Sequence, residues 1–178
     1  MARHLLILLL LSQVSFGQSK TSKKQFPIDT SVNLFAFVGE KVSLDEYDPN
    51  ADYNKPLSVE IDSTTGDTVT KRRSYIMDNA FEAKYKVLQP VFNDLKNDTI
   101  NFKAFDHYGR PAFESHSPVL LYLSKSEDGS YYFHQKYQFD PLFKGKDGLW
   151  VGKNSESLKE LFILKKKTVF KGRGLFKS

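Results

Sequence analysis

The segment SVNLFAFVGEKVSLDEY, Ser31–Tyr47, changes its hydrophobic pattern once, at Gly39. From Leu34 to Val38 every side chain is apolar, as in a strand covered on both faces. Beyond the glycine, Val42 and Leu44 alternate with Lys41 and Ser43, the period of a strand with one face in water. Glycine inside a strand marks a bulge or a sharp bend. One long strand bent at Gly39 is therefore expected, and a strand that bends can serve both sheets of a small barrel.

The flanking sequence extends this reading. DPNADYNKP is turn-rich, and LSVEID and TVTKRR flank STTGD as a hairpin would; its charge fits an exposed excursion or a disordered insert. In NAFEAKYKVLQPVF, Phe81, Ala83, Tyr85 and Val87 point one way and Glu82, Lys84 and Lys86 the other, with Pro90 ending the strand or forcing it to an edge. TINFKAF repeats the alternation with Ile100, Phe102 and Ala104 on one face. VLLYLSK reads as a buried strand. YYFHQKYQF reads as another, with Tyr131, Phe133, Gln135 and Tyr137 sharing one face and Tyr132, His134, Lys136 and Gln138 the other. The lone helix signal is SLKELFILKKK: Ser157 and Glu160 have capping-box spacing, and lysines crowd the C-terminal end, where they suit the helix dipole. Many short strands with one helix predict a mainly β fold, an OB-like small β-barrel with one short C-terminal helix.

Three of these segments, FAFVGEKVSL, FEAKYKVLQPVFNDLKNDTINFKAF and SPVLLYLSK, together resemble the netrin-like OB fold shared with the tissue inhibitors of metalloproteinases. The resemblance spans Leu34 to Lys125 and is one of strand pattern. It implies the barrel. Inhibition in that family depends on an N-terminal cysteine that reaches the target's zinc and on disulfides, and this chain has no cysteine, so the inhibitory activity does not carry over.

The chain begins MARHLLILLLLSQVSFGQ. Arg3, the apolar run Leu5–Leu11 and the small residues Ser15 and Gly17 have the layout of a secretory signal peptide cleaved after Gly17. The apolar run is too short for a stable membrane span. Without cysteine there is no lipobox, no disulfide and no thiolate metal site. The expected location is secreted or periplasmic, and the protein is not expected to be a lipoprotein. The division expected is a signal peptide at 1–17, a polar leader at 18–29, the β domain at 30–164 and a basic tail at 165–178. About 160 residues remain after cleavage, enough for one core. Fifteen Phe and nine Tyr supply large buried areas. The net charge of +5 falls to +4 without Arg3, and its excess lies in Lys165, Lys166, Lys167, Lys171, Arg173 and Lys177. That tail is expected to be solvated, with a weak contact to anionic surfaces as its further use.

Chemistry-bearing residues concentrate in AFDHYGRPAFESHSP, Ala104–Pro118. Asp106, His107, Tyr108, Arg110, Glu114 and His116, together with Trp150, form the candidate binding surface, since exposed aromatic and Arg side chains anchor recognition. His107, His116 and His134, with Asp106, Glu114 and Asp128 nearby, lack the spacing of a metal set, so neither metal nor cofactor is expected. Asp106 and His107 suggest an oriented base, but adjacent strand residues point to opposite faces. No G-x-S-x-G elbow or phosphate loop is present. Asn97-Asp98-Thr99 matches a glycosylation sequon. Tyr131, Phe133 and Tyr137 beside Lys136 are the elements of a nucleic-acid stacking face, yet period-2 burial assigns them to the core, and no nucleic-acid partner is expected. The favoured reading is an exported, non-catalytic binding or interaction module whose partner is a protein, a glycan or an envelope ligand. The alternatives are a small hydrolase using Asp106 and His107, or a structural envelope protein with a basic tail.

Overall fold

A computed structural model describes residues 28–176. The signal peptide expected at 1–17, and nearly all of the leader, lie outside these residues. Among the described residues nine strands are formed: β1 (Phe35–Tyr47), β2 (Ser58–Ile61), β3 (Thr68–Lys71), β4 (Asn79–Phe92), β5 (Thr99–Asp106), β6 (Val119–Lys125), β7 (Tyr132–Pro141), β8 (Phe143–Lys144) and β9 (Trp150–Val151). A 3-10 turn spans Ala112–Ser115, and α1 (Leu158–Lys165) runs into a π-helical turn, Lys166–Phe170. The described residues are mainly β with one short α-helix.

Five strands pair in a closed ring in the order β1–β4–β5–β7–β6. Closure depends on β1. It pairs with β6 over Phe35–Gly39 and with β4 over Ala36–Tyr47, and its register with β4 shifts between Val38 and Gly39. Gly39 is thus the last residue of β1 held by both neighbours. Its missing side chain matters for space: a Cβ there would lie 3.0 Å from Phe37 Cε2, 3.1 Å from Tyr85 Cδ1 and 3.3 Å from Leu121 Cδ1. Those three side chains are fully buried and have no room to yield. Gly39→Ala is expected to cost about 1–3 kcal/mol by overpacking, read as a lower urea midpoint with unchanged slope.

The alternation of each ring strand sorts side chains into two cores. Phe37, Phe81, Ala83, Tyr85, Ile100, Phe102, Val119, Leu121 and Leu123 fill the ring interior. Ala36, Val38, Leu120 and Tyr122, on the opposite faces of β1 and β6, join Phe92, Leu161, Phe162 and Phe170 in a second core outside the ring. The apolar run Leu34–Val38 is continuous because β1 is covered on both faces there. Helix α1 supplies the outer cover. Ser157 caps it, accepting from Glu160 N, and Glu160 completes the reciprocal box. Phe162 stacks on Phe92 with centroids 4.8 Å apart.

Two expectations need correction, and a third is resolved between its alternatives. First, β7 has the opposite phase. Tyr132 packs on the interior core and His134 is buried, whereas Tyr131 and Tyr137 are 39% and 45% exposed. Both faces of that segment carry aromatics, so alternation alone could not choose between them. Second, of the two outcomes expected at Pro90 the edge is the one formed: β4 continues through it to Phe92, paired with β1 alone, since its pairing with β5 stops at Lys86. Third, the boundary placed at 164/165 falls inside the helical segment. Beyond it Phe170 is fully buried against Tyr122, with centroids 5.1 Å apart, and Arg173 donates to Gln135 Oε1 at 2.7 Å and to Lys136 O at 2.9 Å. Apolar residues spaced among the lysines fold this stretch back onto β6 and β7. The excursion between β1 and β4 forms the expected hairpin, β2 with β3, and its strands are almost entirely exposed.

Candidate binding groove

The ring distributes the residues singled out in Ala104–Pro118 among separate tasks. Asp106 is nearly buried, and its Oδ1 accepts from Tyr108 N at 2.9 Å, shaping the turn that ends β5. His107 does not meet it. Its Nδ1 lies 3.3 Å from Asp78 Oδ1 at the start of the β4 segment, and Asp78 Oδ2 also accepts from Lys136 Nζ at 2.7 Å. The Lys136 hydrogen bond, seconded by His107, lowers the Asp78 pKa. Arg110 grips Glu114 through Nε at 2.7 Å and Nη2 at 2.9 Å, and gives a further hydrogen bond to Leu44 O on β1. That grip lowers the Glu114 pKa. Between them Phe113 turns inward, 1% exposed, against Tyr85, Phe102, His134 and Phe139. His116 stacks on Phe139 at 5.6 Å. Trp150 packs on the outer core, with Lys144 Nζ 3.5 Å above its ring. Most of this loop therefore closes one end of the ring. Tyr108, 87% exposed, His107 and Arg110 remain at the surface. Among the described residues no group of three or more His, Asp or Glu is placed to hold a metal ion.

Concavity lies elsewhere: a cleft of about 960 Å³ is lined by Val32, Phe35, Asn93, Lys125 and Tyr132, and smaller ones lie on the outer face of β1, β4 and β5. Two open clefts of about 310 and 340 Å³ meet at Lys103 and Tyr131. Their floor is the outward row of β5, Asn101, Lys103 and Phe105, with Glu82 and Lys84 of β4 and Asp45 and Tyr47 of β1. One wall is Tyr131, from the β6–β7 turn; Asp128 shapes that turn by accepting from Ser126 and Ser130. The other wall is the base of the β1–β4 excursion. There Asn50 clasps Ile76 through both amide atoms, Nδ2 to O at 2.8 Å and N to Oδ1 at 2.9 Å. This two-point clasp brings residues 48–53 beside 73–76 and holds the wall upright.

Lys103 occupies the centre. Its Nζ lies 4.6 Å from the Tyr131 ring centroid and 5.7 Å from that of Tyr47, so the cation spans the groove between two aromatic faces. Burial, then Glu82, then Tyr131 raise the Tyr47 pKa. Compared with protein-family models, curated proteins and solved structures, the chain matches none. The groove must therefore be read from its own chemistry.

It offers tyrosine rings and a lysine, with carboxylates of Asp45, Asp48 and Glu82 opposing the positive charge of Lys84, Lys103 and Arg73. Sequence reasoning passed over Tyr47, Lys103 and Phe105. One signal was present: Phe105 is an aromatic on the outward row of a strand whose inward row was already assigned. The convergence of the excursion and the β6–β7 turn on that row had no sequence signature, because 25 or more residues separate each partner from the next.

Proposed function

We propose that this protein is an exported, non-catalytic binding module of OB-like barrel form that holds a glycan in the β1–β4–β5 groove at the cell envelope or exterior. The barrel reading is supported by the ring order. Numbered within the ring, the strands run 1-2-3-5-4, and the contact between the third and fifth is the parallel one. In OB folds the face of strands 2 and 3, flanked by the loops after strand 1 and between strands 4 and 5, takes oligosaccharides and oligonucleotides. The groove occupies that position. The observation that carries the reading is Lys103 set between Tyr47 and Tyr131. Aromatic faces stack on the C–H faces of sugar rings, and the alternating charges around them suit hydroxyl groups. A polyanion would require a basic stripe without opposing carboxylates.

Chito-, cello- and xylo-oligosaccharides titrated calorimetrically into the chain from residue 18 onward test the proposal. Tyr131→Ala and Lys103→Ala are expected to weaken binding by about tenfold or more, one lost aromatic or cation contact being worth ~1–3 kcal/mol, with unchanged thermal stability. Equal binding by the variants, or binding of single-stranded DNA alone, would sink it. The hydrolase reading draws on the His107–Asp78 pair, an imidazole held by a carboxylate. On that reading the same oligosaccharides are cleaved and His107→Ala abolishes turnover at unchanged stability; intact sugars after prolonged incubation with the wild type remove it.

A further inference from the structure

A second surface is built with more care than a loop requires. Along β7, His134 stands opposite Leu123 and Phe139 opposite Leu121, so the four residues Gln135–Gln138 bulge out opposite Tyr122. Each is tied down. The ring of His134 bridges the bulge, its Nε2–H donating to Gln138 O at 2.8 Å. Gln135 donates to Ser124 Oγ and accepts from Arg173. Lys136 donates through Nζ to Asp78, and its carbonyl accepts from Arg173. Gln138 accepts from Lys165 Nζ at 3.2 Å. The product is Tyr137 at φ +65°, a conformation bulky side chains rarely adopt, with its ring 45% exposed. Strain of this kind persists when the surroundings over-determine it, and it gathers at functional sites.

The Tyr137 ring lies 6.2 Å from that of Tyr108 at an interplanar angle of 32°. His107 meets Tyr108 edge-on at 5.4 Å, and Lys136 Nζ sits 5.3 Å from the Tyr137 centroid. Asp78 joins both flanks. The two rings thus form a shallow aromatic platform bordered by a carboxylate, an imidazole and an ammonium whose charges oppose one another. We infer that this platform is a second binding site, for the flat face of a β-linked polysaccharide. An open platform suits a chain presented on a surface, whose successive sugars offer C–H faces to the two rings and hydroxyls to Asp78 and His107. Mutual neutralisation of Asp78 and Lys136 disfavours a phosphate or sulfate polymer. This site stands independently of the groove.

Sedimentation with microcrystalline cellulose, chitin and purified peptidoglycan sacculi tests it. The wild type is expected to be retained on at least one. Tyr108→Ala combined with Tyr137→Gly is expected to lower the partition constant about tenfold or more. The same loss is expected when both proteins also carry Tyr131→Ala, so that the groove contributes nothing to the comparison, whereas Ile61→Ser, an exposed side chain of β2 in neither surface, is expected to leave retention intact. Because glycine relieves the positive φ, Tyr137→Gly should melt no lower than the wild type. No retention of the wild type on any of the three solids, undiminished retention of the double variant, or displacement of the protein by a proline-rich peptide but not by soluble sugar overturns the inference.

Discussion

Phe113→Ala is expected to destabilise the protein by ~3–5 kcal/mol, the range for deleting a fully buried aromatic ring, and to lower its melting temperature by on the order of 10 °C. Phe113 is the only residue of the 3-10 turn that is buried. Its ring meets Tyr85 of β4, Phe102 of β5, and His134 and Phe139 of β7, with the nearest centroid, His134, 4.5 Å away. It therefore joins three of the five ring strands from one end. The turn cannot collapse into the space left behind, because Arg110, Glu114 and the Leu44 carbonyl hold its backbone in place. Urea unfolding followed by intrinsic fluorescence measures the loss. A change below about 1 kcal/mol, the range of ordinary surface substitutions, would mean that the turn is a cover and not a plug.

Acid is expected to weaken the fold before the carboxylates are protonated, and His134 is the cause. Burial in the ring interior, reinforced by Arg173 and Lys165 and only partly offset by the Gln138 hydrogen bond, lowers its pKa from 6.5 to about 4. The unfolded chain thus binds a proton that the folded chain refuses between those values. Stability is fully present above pH 6.5 and declines as pH falls toward 4, by up to ~3 kcal/mol. Asp140, whose pKa burial raises, works in the opposite sense, so the net slope is smaller. His134→Gln is expected to flatten the profile between pH 6.5 and 5 relative to the wild type. Urea midpoints across that window measure it, and parallel slopes for the two proteins would exclude His134 as the source.

The bent first strand, the phases of β4 and β5, the buried β6 and the capped helix were all legible as local patterns. In each, the residues that set the pattern are neighbours in sequence: Phe81, Ala83 and Tyr85 on one face, Ser157 and Glu160 three apart. The phase of β7 was not legible, since Tyr131 and Tyr132 are adjacent and equally apolar. Its bulge depends on Arg173, Lys165 and Asp78, 27 or more residues from the residues they hold. The candidate site divides the same way. Asp106, His107, Tyr108, Arg110, Glu114 and His116 drew notice by density, yet density did not separate the residues that close the ring from those that face solvent, His107, Tyr108 and Arg110.

What the sequence determined by itself was therefore the class of structure: strand period, the bend at Gly39, the helix start, and the absence of cysteine chemistry, because each rests on backbone sterics or composition within a few residues. Which side chains stand together was decided by tertiary structure. Ring closure carries Lys103 between Tyr47 and Tyr131, and Tyr137 beside Tyr108. Those distances follow from which strands pair and in what register, and that is a property of the whole chain's packing.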